Sequence, residues 1–308
     1  MAQQSLQSAA EFFSKYACSS SRISVPCLIG NTTSNTRRKV SLVRLDSGLA
    51  RRDEARPPGE YRPIFDRAVR RWERLTVDDL PDVEFSTAAN WCPAFTGHID
   101  DILVFIELGE IDGPRGILGM AGSCHVRADS RLPLLGHIVI DTADIRRIDS
   151  LNLLETLVLH ELGHVLGIGS LWGRHVVGRG TPDPRYRGPG GRAAWTMISE
   201  TLASPWSLVP VENSPRPGTR DNHWRESVFE PELMTGSIDP GRNPLGALTV
   251  TSLGDLGYVV DDAGAEPYTL PNLMISTGGA SLRLHEPPRM EPIFLISRTG
   301  ERVGVLPW

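Results

Sequence analysis

Residues 160–164 read His-Glu-Leu-Gly-His, inside a run from Leu153 to Gly167 that has the apolar spacing of a buried helix. Four residues is just over one helical turn, so His160 and His164 project from the same face, one above the other. Glu161 lies about 100° around the helix from His160. It can reach a water held by a metal without being a ligand itself. Leu153, Leu154, Leu157, Val158, Leu162, Val165 and Leu166 already supply the packing face. Burying two imidazoles and a carboxylate among them costs several kcal/mol unless a metal compensates. Two histidine ligands with an intervening glutamate as general base form the working core of a zinc peptidase.

The ends of this helix are also legible. Asn152 is the expected N-cap, with Glu155 three residues on to complete a capping box. Gly167 follows the second histidine by three residues and suits the left-handed conformation that stops a helix. A glycine turn there sends the chain back beneath the metal, the metzincin arrangement. The compact metzincin motif has a third histidine three residues after that glycine, whereas this chain has Ser170, a poor ligand beside imidazole. The third ligand must then lie beyond an insertion, and the candidates are His175, Glu200, His223 and His285. His223 stands out by its surroundings, Asp221-Asn222-His223-Trp224, followed by Glu232-Leu233-Met234-Thr235-Gly236. A methionine in a tight turn shortly after the third ligand is the Met-turn, a hydrophobic floor under the metal. Met234 alone reads as core packing. Beside His223 and Gly167 it reads as that floor.

The combination resembles the leishmanolysin-like metallopeptidases, in which a long insertion separates the glycine turn from the third histidine. Here 55 residues, Ile168 to Asn222, fill that gap. Residues 58–76, Asp100 to Val104, Gly119 to Cys124 and Thr249 to Tyr258 resemble the short bacterial, fungal and plant relatives, so the likeness spans roughly residues 58–262. It implies one zinc ion per chain on His160, His164 and His223, Glu161 as catalytic base, and polypeptide substrates. The chain departs from the large protozoan surface enzymes in being short, cysteine-poor and without a lipid-anchor signal.

The expected fold is α+β, a metzincin-like zincin. A small mixed sheet packs on the active-site helix in residues 58–167, and an irregular C-terminal subdomain, 168–262, carries the third ligand and the Met-turn. A helix is expected over 61–75, with Pro63 near its start, and another over 248–256. Strands are expected at Val83–Phe85, Ile102–Leu108, Ile117–Ala121 and His137–Asp141. Between Gly173 and Arg220 the 7 glycines and 7 prolines of 48 residues predict an irregular loop bordering the cleft, with one short helix near Trp195–Ala203. The tail, 263–308, has strand-like pieces at 293–297 and 302–306 with no evident role.

Composition narrows the partners. A formal charge of −5 suggests neither a nucleic-acid nor a membrane-surface partner, and no stretch has the length of a membrane span. A monomer is expected. Four cysteines are too few for a disulfide scaffold, and Cys92 and Cys124, flanking the first sheet segments, are the expected pair, with two free thiols as the alternative. Residues 1–45 hold 12 Ser or Thr, 6 Lys or Arg and one acidic residue, Glu11. That composition resembles an organelle leader, or else a disordered polar tail; secretion is the alternative destination. Asp141 and Asp144 could bind calcium but read better as an exposed strand-end pair. A non-peptidase zinc hydrolase and a binding protein with a degenerate metal site are the other functional classes, and the intact Glu161 speaks against the second.

Overall fold

The computed structural model describes residues 41–47, 58–88, 90–200, 206–215, 218–271, 282–284 and 292–306. The strands are β1 (Ser41–Ser47), β2 (Val83–Thr87), β3 (Phe95–Ile99), β4 (Leu103–Gly109), β5 (Gly119–Arg127) and β6 (Pro133–Asp141). Shorter strands follow: β7 (Val176–Val177), β8 (Arg185–Tyr186), β9 (Val209–Pro210), β10 (Ser237–Ile238), β11 (Leu282–Arg283), β12 (Phe294–Ile296) and β13 (Arg302–Val305). The helices are α1 (Pro58–Glu73), α2 (Ile145–Ser150), α3 (Leu154–Leu166), α4 (Pro189–Ile198), α5 (Glu226–Phe229) and α6 (Ala247–Leu256). The fold class is α+β.

Strands β4, β5 and β6 are buried along nearly their whole length because both faces of their sheet are covered. On one face Val104, Ile106, Leu108, Ile138 and Ile140 join the core made with α1 and α3. On the other, Leu103, Phe105, Leu135 and Cys124 meet Val83, Phe85 and Ile99 of the β2–β3 hairpin. The sheet order is β1-β4-β6-β5-β12-β13, with β5 antiparallel to β6 and parallel to β12. Helix α1 buries Tyr61, Phe65, Ala68, Val69 and Trp72, one stripe of a 3.6-residue period. Its Trp72 indole donates to the Leu159 carbonyl of α3 at 2.9 Å, which ties the two helices together.

Several expectations need correction. Pro58, not Pro63, opens α1, and Pro63 falls in its second turn. Strand β1 crosses the expected leader boundary at residue 45 and pairs in parallel with β4. The remainder of the expected leader, residues 1–40, lies outside the described residues. The strand-like pieces of the tail, which had no evident role, acquire one: β12 adds to β5 over His125–Arg127 and β13 pairs with β12, so these two strands extend the N-terminal sheet. The hairpin partner β3 is not legible in sequence, because Phe-Thr-Gly-His-Ile has only two apolar side chains and a glycine at its centre. Helix α4 starts earlier than expected, at Pro189; the glycines of its first turn conceal it in sequence, and their amides are bound by the Asp255 carboxylate at 2.7 and 2.9 Å.

The expected irregular insertion is held by aromatic packing. Trp172, Tyr186 and Trp224 meet with ring centroids 4.5 to 5.3 Å apart, and Trp195 sets its edge against Phe229 at 5.4 Å. Pairs of this kind contribute about 0.5–1.5 kcal/mol each beyond the area they bury.

Candidate metal centre

Helix α3 is buried from Leu157 to Leu166, so its C-terminal carbonyls need partners inside the protein. Each has one. Gly167 takes the left-handed conformation at φ 115°, and the amides of Gly167 and Ile168 bond the Gly163 carbonyl at 3.1 and 3.0 Å. This is a Schellman-type end. Ser170 Oγ donates to the His164 carbonyl, Ser123 Oγ to that of Val165 and the Tyr258 hydroxyl to that of Leu166, at 2.6, 2.7 and 3.0 Å. Ser170, unsuited to be a ligand, thus caps the ligand helix. The N-terminus departs from expectation. Leu153 is the N-cap with no side-chain bond, Asn152 stands at φ 58°, and Glu155 pairs with Arg67 at 2.6 Å instead of closing a capping box.

The structure brings His160, His164 and His223 together, all three buried. Their Nε2 atoms lie 3.0, 3.1 and 3.2 Å apart pairwise. Each Nδ1 faces a backbone carbonyl: His160 that of Leu233 at 2.7 Å, His164 that of Ile168 at 2.8 Å, His223 that of Thr219 at 3.0 Å. A carbonyl only accepts, so each Nδ1 must carry the proton and each neutral ring presents a lone pair at Nε2. Three acceptors then converge on one point. A single shared proton could join only two of them, whereas a metal ion satisfies all three at once. At the zinc–imidazole distance of about 2.0–2.1 Å, tetrahedral geometry separates ligand nitrogens by roughly 3.3 Å. The residues present fit such an ion.

Glu161, also buried, points toward the start of β5: a Cβ on Gly119 would lie 2.8 Å from Glu161 Oε1. Met234 packs beneath α3, its Sδ 2.6 Å from where a Cβ on Gly163 would sit. Residues 232–235 form the turn that carries it, closed by the Thr235 amide on the Glu232 carbonyl at 3.2 Å. Among the described residues β5 is paired on its outer edge only over His125–Arg127. Gly119–Ser123, beside Glu161, have no strand partner on that edge among the described residues, and of the five only Ala121 is partly exposed.

The other candidates fall away from this point. His175 packs against Tyr186 and bonds the Asp255 carbonyl at 3.0 Å, Glu200 is exposed, and His285 lies outside the described residues. Asp141 and Asp144 are buried rather than exposed. Asp141 accepts the Ala143 amide, Asp144 the Arg115 amide, and Arg147 pairs with Asp144 at 2.9 Å. An acidic group of Asp79, Asp100 and Asp101 gathers at the opposite, N-terminal end of β4, two of the three exposed. Cys92 and Cys124 are joined as a disulfide that holds the loop after β2 to β5, Cα atoms 6.1 Å apart. No helix among the described residues is long and apolar enough to cross a membrane. Sequence reasoning missed the roles of Gly119 and Glu232, which depend on Glu161 and Thr249 far along the chain, and the capping role of Ser170 on the nearby His164 carbonyl.

No protein-family model matches the chain, and no curated protein matches it. What the centre does must be argued from its own geometry.

Proposed function

We propose that this protein is a zinc-dependent metalloendopeptidase of the leishmanolysin-like type, with His160, His164 and His223 as ligands and Glu161 as general base. The observation that carries the reading is the convergence of three Nε2 lone pairs whose Nδ1 protons are committed to carbonyls. Three neutral imidazoles are the ligand set of a catalytic zinc with an open position. When bound, zinc supplies Lewis acidity, lowering the pKa of a water and polarising the scissile carbonyl. Glu161 accepts the proton of the attacking water and passes it to the leaving amine. An extended polypeptide would add to β5 at the edge of Gly119–Ser123, where backbone bonds align it regardless of side chain. That placement brings its carbonyl carbon past Glu161.

Two measurements test this. Elemental analysis of purified protein should give one zinc per chain, and chelation should abolish casein digestion until zinc is restored. Glu161→Gln should retain the metal while turnover falls about 10²–10⁴-fold, the usual worth of a general base. Undiminished proteolysis in excess chelator would sink the proposal.

A further inference from the structure

Glu232 is fully buried, and among the described residues its hydrogen-bond partners are all donors. Its Oε2 accepts the Met234 amide at 2.7 Å, and its Oε1 accepts the Gly246 amide at 3.3 Å and the Thr249 hydroxyl at 2.6 Å. Gly246 caps α6, so the carboxylate also sits at the positive end of that helix. Thr249 Oγ1 in turn accepts the indole N–H of Trp224, the residue after His223, at 2.8 Å. The Trp224 amide closes the circuit on the Met234 carbonyl at 2.9 Å.

We infer that Glu232 is a positioning residue that holds two of the three histidines in ligand geometry through one hydrogen-bond network. Through the Met234 amide it shapes the turn whose Leu233 carbonyl orients His160. Through Thr249 and Trp224 it fixes the backbone that presents His223. Only an acceptor on both oxygens satisfies all three donors. An amide would aim its own NH₂ at one of them and leave a buried group unpaired. The inference rests on the zinc reading, since it concerns the shape of that site. Partners that orient a ligand are typically worth 10–100-fold in metal affinity.

The test measures zinc dissociation constants by competition with a chromogenic chelator, and the visible spectrum of the Co²⁺-loaded protein. The variants are Glu232→Gln, Thr249→Val, their double mutant, and Phe85→Ala as a destabilising control on the far face of the sheet. Glu232→Gln and Thr249→Val should each weaken zinc binding about 10–100-fold and alter the Co²⁺ spectrum. The double mutant should lose less than the product of the two, as members of one network do. Phe85→Ala should lower the melting temperature and leave both metal readouts at wild-type values. Should Glu232→Gln fail to fold, Thr249→Val, which removes one hydroxyl, carries the test. Wild-type zinc affinity in Thr249→Val or in folded Glu232→Gln overturns the positioning role and leaves the zinc reading standing. A wild-type chain that binds no zinc overturns both.

Discussion

At the scale of single residues, the proposed ligand pair and base are legible in the sequence because their relation is local. His160, Glu161 and His164 share one helix, and helix geometry alone gives their directions. Gly119 was not legible, since nothing in a lone glycine announces the carboxylate that lies against it. Its proximity makes a sharp prediction. A Cβ at Gly119 meets the far end of a flexible side chain, Glu161 Oε1 at 2.8 Å, so the protein can accommodate it by moving that carboxylate. Gly119→Ala should fold, melt close to wild type and keep zinc, while turnover falls at least about tenfold, part of the 10²–10⁴ attributed to a positioned base. Zinc content, melting temperature and peptidase rate on the same preparation decide it. Full activity would mean that Glu161 does not act from where it stands.

At the scale of elements, the end of α3 followed from Gly167, but its beginning did not follow from Asn152. Asn152 occupies the left-handed region between α2 and α3, and the cap position itself falls to Leu153. The return of the chain after Gly167 depends on a contact no motif records. Gly169 stands at φ +71°, and a Cβ there would fall 2.0 Å from the Asn222 carbonyl oxygen, on the residue before His223. Backbone against backbone cannot yield as a side-chain tip can. Gly169→Ala should therefore push the third ligand away from the first two. The left-handed conformation alone costs an alanine about 1–2 kcal/mol, and the clash adds to that. Denaturant unfolding should show the loss of stability, and chelator competition should show weakened zinc. A stable variant with wild-type zinc affinity would mean that this approach does not set the position of His223. The insertion between these two points was unreadable for a related reason: its order comes from Trp172 and Tyr186 meeting Trp224, and from Trp195 meeting Phe229, not from any period along the chain.

At the scale of the whole molecule, the tail returns to the sheet it was not expected to join. There, Phe294 of β12 and Phe85 of β2 enclose His125 with ring centroids at 5.5 and 4.9 Å. Burial, and secondarily the charge of Arg302 in β13, lower the His125 pKa from 6.5 to about 4. The folded protein therefore keeps this ring neutral where the unfolded chain protonates it. Its contribution is fully present above about pH 6.5 and is lost as pH falls toward 4, because the unfolded state then binds the extra proton. Glu226, raised to about 7 chiefly by burial, acts in the opposite sense: stability falls as pH rises from about 4.5 to 7, where the unfolded chain releases its proton first. A raw stability curve sums both with other shifted groups, Asp101 among them. His125→Gln removes only the first, so the difference between wild type and variant isolates it. With metal-free protein, to keep zinc linkage out, the wild-type stability relative to His125→Gln should drop by on the order of 3 kcal/mol between pH 7 and pH 4. Urea midpoints across that range measure it. A difference that stays constant with pH would mean that the tail and the hairpin do not exclude water from His125, and that the sheet is more open at this end than its packing indicates.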